Sequence, residues 1–386
     1  MVRLFSKLPK LSIKRPGWAK LLILLMLVAV PAMVVSAHGG DVSLIHACVK
    51  NSNGSIRIVS PSETCNGNET PLDWNITGIQ GPQGPAGASG PAGAQGPAGP
   101  NTQKIALLKW YINQTDETFP VGINAREIAF DGENMWVTTD ASNSVYVLRA
   151  SDGAFIGNYS VGSAPIGIAY DGLNMWVVNQ DGTVTVLRAR DGSVAGTYYA
   201  GVTPHHAAFD GVNMWVTSNG DNTVKVLAND GTLVGSYPTG NKPYDIAFDG
   251  TNMWVTNSQG NSVTVLRASD GALMGTYSVG SDPRTVAFDG VNMWVGNLGS
   301  NDVTVLRASD GNLVATYPVG TQPYGFAFDG ENMWVTNYGD NTVSVLRVSD
   351  GAVVTTVSTG AGPVGIAFDG AFMWVANNNA GTVSKR

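Results

Sequence analysis

The chain has 386 residues, 22 of them basic and 29 acidic, with 13% charged residues and 48 glycines. That length holds two or three domains. So few charges exclude a protein built from solvated, salt-bridged helices, and an acidic balance repels phosphate backbones, so no nucleic-acid partner is expected.

The first 37 residues carry six basic side chains (Arg3, Lys7, Lys10, Lys14, Arg15, Lys20) and no acidic one. The remainder has 16 basic against 29 acidic residues, a balance of −13. The basic stretch leads into the apolar run Leu21 to Ala37, which closes on small residues and contains a proline. This is the pattern of a secretory signal peptide cleaved after Ala37, with an uncleaved anchor as the alternative. The expected localisation is secreted or cell-surface. In that setting the two cysteines, Cys48 and Cys65, are expected to form one disulfide. Closing that loop of about 18 residues stabilises the segment by roughly 3 kcal/mol.

Residues 38–77 form a small two-cysteine segment. "CVK" and "IRIV" flank Asn53-Gly54, which predicts a β-hairpin. Glycine then falls at every third position from Gly78 to Gly99, with Pro and Ala dominating between. Only glycine fits the axis of a collagen triple helix, so residues 78–101 are expected to form a collagen-like rod and to support a homotrimer. A stiff single-chain spacer is the alternative. Either would reach roughly 70 Å at about 3 Å per residue. The segment before the rod resembles small two-cysteine segments that precede collagen-like rods in some bacterial surface proteins.

Residues 102–386 are dominated by a repeat of 39 or 40 residues, marked by Trp136, Trp176, Trp215, Trp254, Trp294, Trp334 and Trp374. One unit, Pro323 to Gly360, divides into "YGFAF", "MWVTN", "TVSVLRV" and "AVVTTVS", separated by Asp-Gly turns and a loop. Val, Thr and aromatic residues fill these segments, and none has helical periodicity. Four antiparallel strands repeated seven times predict an all-β, seven-bladed propeller. The tryptophans and the methionines before them then belong to the core between blades. The last unit stops early in its third strand. Ile105 to Gly122 aligns without gaps on Val263 to Gly280, so residues near Thr115–Val121 are expected to supply the missing outer strand.

With "WVTN" at Trp254–Asn257 and Trp334–Asn337, residues 103–386 resemble the YVTN family of bacterial and archaeal propellers. That family includes exported and surface-layer proteins, mostly without a known reaction. The "PxGIAFDGxxMWV" pattern is also similar to streptogramin lyase propellers, which are enzymes. The lyase resemblance implies catalytic histidines and a glutamate spread over several blades, but this propeller has histidine in only one.

Comparing the repeats separates architecture from candidate sites. The turn aspartates (Asp131, Asp171, Asp210, Asp249, Asp289, Asp329, Asp369) hardly vary and are expected to cap their own turns. They lack the spacing of a calcium loop. The residues after the proline position at the start of each innermost strand do vary. They include Arg126, Glu127, His205, His206, Tyr244, Asp245, Arg284 and Tyr324, which are expected to rim the central funnel as a ligand-binding set. Asn257, Asn297, Asn337 and Asn377 lie in neighbouring loops and are expected to bond their own turns. His205 and His206 should point to opposite faces of their strand, either contacting a ligand or standing as solvated loop residues. Completing a zinc site would need Glu127 and Asp245 from other blades, so no metal is assigned. No catalytic residue and no cofactor motif stands out.

The composite is an exported surface or extracellular binding or adhesion protein, its propeller held on a collagen-like stalk and its partner a glycan, peptide or matrix ligand. The alternatives are an exported lyase- or hydrolase-like enzyme acting in the funnel, and a structural surface-layer component.

Overall fold

The computed structural model describes residues 44–50, 56–59, 64–75 and 117–386. The signal segment, the Asn53-Gly54 turn and the collagen-like rod expected from the sequence lie outside the described residues. The chain divides into two compact units, Met1–Gly93 and Ala94–Arg386.

In the first unit, β1 (Leu44–Lys50) pairs antiparallel with β2 (Ile56–Val59), as the hairpin reading requires. A third strand, β3 (Glu69–Asn75), covers the other edge of β1. Cys48 and Cys65 are joined in a disulfide with their Cα atoms 5.5 Å apart, and both are buried beside Val59. The expected pairing is therefore present.

The second unit is a seven-bladed propeller, each blade a four-stranded antiparallel meander. In blade 1 the strands run outward as β5 (Ala125–Phe130), β6 (Asn134–Thr139), β7 (Ser144–Arg149) and β8 (Phe155–Ser160). Blade 7 is made of Pro363–Phe368, Met373–Asn377 and Thr382–Lys385, and β4 (Glu117–Pro120) closes it from the other end of the domain. The outer strand thus lies within the Thr115–Val121 window read from the repeat alignment.

Every blade is sandwiched between two others, so both faces of its strands are buried. This explains why consecutive residues such as Met175 and Trp176 are both apolar and both fully buried. Trp136 packs with Ile168, Met175 and Leu187 of the next blade, and the pattern repeats around the ring. Six of the seven tryptophans are at most 1% exposed.

A second set of contacts ties the blades at their outer ends. Tyr159 stacks on its own blade's Trp136, with centroids 5.8 Å apart, and its ring lies over Gly192 in the third turn of the next blade. Tyr198, Tyr237, Tyr277 and Tyr317 repeat the arrangement over Gly231, Gly271, Gly311 and Gly351, and Phe119 of β4 repeats it over Gly153.

The turn aspartates do more than cap. Asp131 Oδ1 accepts the backbone N–H groups of Glu133 and Asn134, while its Oδ2 accepts the indole N–H of Trp136 at 2.6 Å. The Asp-to-Trp bond recurs in all seven blades at 2.6–2.8 Å. The fixed five-residue spacing between Asp and Trp therefore sets the turn against the core.

Candidate functional site

Six of the seven innermost strands start at a buried proline, with Ala125 in its place in blade 1, and the two residues after that position stand where seven strands converge. The second of these is Glu127, Gly167, His206, Asp245, Thr285, Gly325 and Gly365 in blades 1 to 7. The glycines are required by close approach. A Cβ on Gly167 would lie 2.4 Å from the His205 carbonyl oxygen, and one on Gly365 would lie 2.6 Å from that of Arg126. Threonines on the second strands latch adjacent blades here. Thr217 Oγ1 accepts the His206 N–H at 3.0 Å and donates to the Tyr244 carbonyl at 2.8 Å. Thr138 and Thr336 bridge to the Ile166 and Val364 carbonyls in the same way. The sequence showed these threonines only as strand formers.

The structure brings the eight expected residues into one connected cluster. His206 Nε2 lies 3.5 Å from Glu127 Oε2, across the gap left by Gly167, and its Nδ1 lies 3.1 Å from the Tyr244 carbonyl oxygen. Asp245 accepts the N–H groups of Ile246 and Val286, at 2.8 and 2.9 Å. Tyr244 is gripped on both sides, by the His205 ring at 4.5 Å and the Arg284 guanidinium at 4.5 Å. Its hydroxyl is hydrogen-bonded to that of Tyr324, two blades away. Arg126 pairs with Asp140 at 2.7 Å, and Arg284 makes a forked pair with Asp282.

Four sequence expectations are corrected. His206 and Tyr244 are 8% and 4% exposed, so they are packed interior residues and not open rim. The histidines are not solvated loop residues. Nor do they diverge to opposite sides of a regular strand, because both rings contact Tyr244. The register of the Pro204–Phe209 strand shifts between Pro204 and Ala207, which breaks the alternation. The side chains of Asn257, Asn297, Asn337 and Asn377 donate to Ser, Thr or Asp side chains of the following strand and not to their own turns.

The neighbouring histidines are driven in opposite directions. Burial pushes His205 down to about 3, helped by the charges of His206, Arg284 and Arg126. Burial also acts to lower His206, but Asp245 and Glu127 outweigh it and hold the imidazole above its ordinary value. Burial raises Asp245 and is opposed by His206. Burial raises Tyr244 well above the usual phenol range, so it stays a neutral hydroxyl.

Among the described residues, the three metal-binding side chains whose donor atoms all lie within 4.8 Å of one another are Cys48, Cys65 and Glu69, and both cysteines are committed to the disulfide. A cleft of about 440 Å³ opens on the Asp-Gly face between blades 7 and 1, where Phe372 and Lys385 depart from the repeat. Its two cations are already engaged: Lys385 Nζ donates to the Ala150 carbonyl at 2.9 Å, and Arg149 pairs with Asp152.

No family model and no curated protein matches this chain. Among solved structures it is similar to Kuenenia stuttgartiensis hydrazine synthase, with a TM-score of 0.61 and 21% identity over 72% of this chain and 98% of that one. It is likewise similar to a streptogramin B lyase structure, with a TM-score of 0.61 and 18% identity over 70% of this chain and 96% of that one. The shared feature is the propeller fold, which hosts unrelated functions.

Proposed function

We propose that this is an exported binding protein, of the YVTN type, that takes its ligand at the propeller mouth around Arg126, His205, Arg284 and Tyr324. One observation carries the reading. The blades are nearly identical at their Asp-Gly turns but diverge where the innermost strands start, and there the divergent side chains meet in one network. Uniform blades need no such variation for stability. Arg126 and Arg284 keep 31% and 29% of their side-chain surface open, enough to meet a ligand. The Cys48–Cys65 disulfide supports an oxidising compartment. The Gly-X-Y register supports a stalk and a homotrimer, which would multiply the mouths offered to a repetitive surface.

The test is a screen of glycans, peptides and matrix proteins with the mature chain, followed by Arg284→Ala combined with Tyr324→Ala. Lost binding with a folded circular dichroism spectrum and a cooperative melt supports the mouth. Unchanged binding refutes it. A second reading, an enzyme acting in the funnel, is favoured by the His206–Glu127 pair at 3.5 Å. It requires turnover that disappears in His206→Asn while ligand is still retained.

A further inference from the structure

We infer that the mouth recognises a neutral, hydroxyl-rich ligand, a glycan without acidic groups, and not an anion. This rests on the reading of the mouth as the binding site. Two arginines at a funnel mouth invite the opposite assignment, since open guanidinium forks bind carboxylates and phosphates. Here the forks are already filled from within their own blades. Arg126 Nε and one terminal nitrogen both hold Asp140 Oδ2 at 2.7 Å. Arg284 Nε and Nη2 hold the two oxygens of Asp282 at 2.8 and 3.1 Å, and the flat face of the group lies over Tyr244. An incoming carboxylate would meet only the outer edge of each guanidinium, whose charge is already balanced by an aspartate at 2.7–3.1 Å.

The other ionisable groups nearly cancel: Lys242, whose charge acts on His205, is offset by the buried Asp245 beside His206. Glu127 is countered by His206, and His205 stays neutral because of its burial. The mouth is therefore polar without strong charge. It is also aromatic: Tyr324 and Tyr338 are half-buried, with ring centroids 6.2 Å apart, and Tyr338 donates to Asn379 Oδ1. Two polar atoms in this neighbourhood, Asp140 Oδ1 and His205 Nδ1, have no hydrogen-bond partner. Pre-paired charges that can still share hydrogen bonds, beside flat apolar rings, match a sugar, whose hydroxyls both donate and accept and whose C–H faces stack on aromatics. They match a phosphate, sulfate or acidic peptide poorly.

The experiment uses the full mature chain on immobilised neutral oligosaccharides (lactose, maltotriose, chitotriose, mannotriose), with sialyllactose, heparin and polyglutamate as anionic counterparts. Retention on at least one neutral member is expected, changing less than about twofold between about 0.05 and about 0.5 M NaCl. Tyr338→Ala should weaken it at least about tenfold. Retention confined to anionic members, falling steeply with salt, overturns the ligand class and leaves the mouth standing. Neutral-sugar binding untouched by both Tyr338→Ala and the paired Arg284 and Tyr324 replacements overturns the mouth itself. No retention on any neutral member also sinks the class.

Discussion

One aromatic side chain of the closing strand reaches from blade 7 to blade 1, and its contribution is separable. Phe119 stacks on Trp374 with centroids 5.5 Å apart and lies over Gly153 of blade 1, whose φ is +70°. Truncating a fully buried Phe costs about 3–5 kcal/mol; Phe119 is half-buried, so Phe119→Ala should cost about 2 kcal/mol. Gly153→Ala carries two penalties. The left-handed backbone costs a β-carbon about 1 kcal/mol. The new Cβ would also lie 2.0 Å from the Phe119 ring, an overpacking worth about 2 kcal/mol. In the double variant the ring is gone and only the backbone penalty remains. The two changes should therefore couple by about 2 kcal/mol, leaving the double variant no less stable than Gly153→Ala alone. At about 2–4 °C per kcal/mol for a domain of this size, thermal melts of the full chain resolve the difference. Losses that add to within about 0.5 kcal/mol would refute the clasp contact, because independent sites add.

The two histidines should act on stability with opposite signs. His205 is held below its unfolded value, so its unfolded form takes up a proton first and stability falls as pH drops from about 6.5 toward 3. His205→Gln should remove that loss in denaturant titrations. His206 is held above its unfolded value, so it contributes most below about pH 6.5 and loses that contribution as pH rises through the raised value. His206→Asn should therefore cost more at pH 5.5 than at pH 9, and the reverse order would contradict the Glu127 and Asp245 contacts. Thr217→Val strands the buried His206 N–H and should cost about 1–3 kcal/mol, readable in urea midpoints. Gly167→Ala meets backbone of the next blade and should lower stability by about 3 kcal/mol, whereas Gly132→Ala, with open space around it, should cost only its backbone strain.

Most of the architecture was legible because each blade repeats its instructions. The spacing of "MWV" gave the blade number, and the ungapped match between Ile105–Gly122 and an internal repeat gave the origin of the closing strand. What escaped was whatever depends on a neighbour. β3 contains Pro71 and Asp73, poor strand formers, yet it is extended because β1 offers a free edge and β3 lies at the sheet margin, where proline is tolerated. The burial of His206 depends on Gly167 of blade 2, which lets its strand approach, and that of Tyr244 on the His205, His206 and Arg284 side chains around it. The pairing of the two guanidinium groups depends on Asp140 and Asp282, which nothing in the repeat pattern singles out. Candidate site residues were therefore identifiable as a varied set, but their exposure and charge state were not.

The repeat's departures carry information of their own. Blade 6 has Val357 where five other blades have tyrosine, and Trp334 is the one tryptophan of the seven that stays partly exposed. Each of those tyrosines rests on the glycine of the next blade's third turn. Blade 7 has no such turn, because its third and fourth strands come from opposite ends of the domain. A tyrosine in blade 6 would have no glycine to cover, so the residue that served that contact is dispensable there. Two matched substitutions should therefore differ in effect. Tyr317→Val in blade 5 removes the stack on Trp294, at 5.9 Å, and the cover over Gly351. It should lower the melting temperature by about 4–8 °C, from a loss of about 2 kcal/mol. Val357→Tyr in blade 6 adds the stack on Trp334 but not the glycine contact, and should raise it by only about 2–4 °C, an aromatic pair alone being worth about 1 kcal/mol. If the blade 6 tyrosine stabilises as much as its blade 5 counterpart, the staple is a matter within one blade, and the glycine of the next blade plays no part in it.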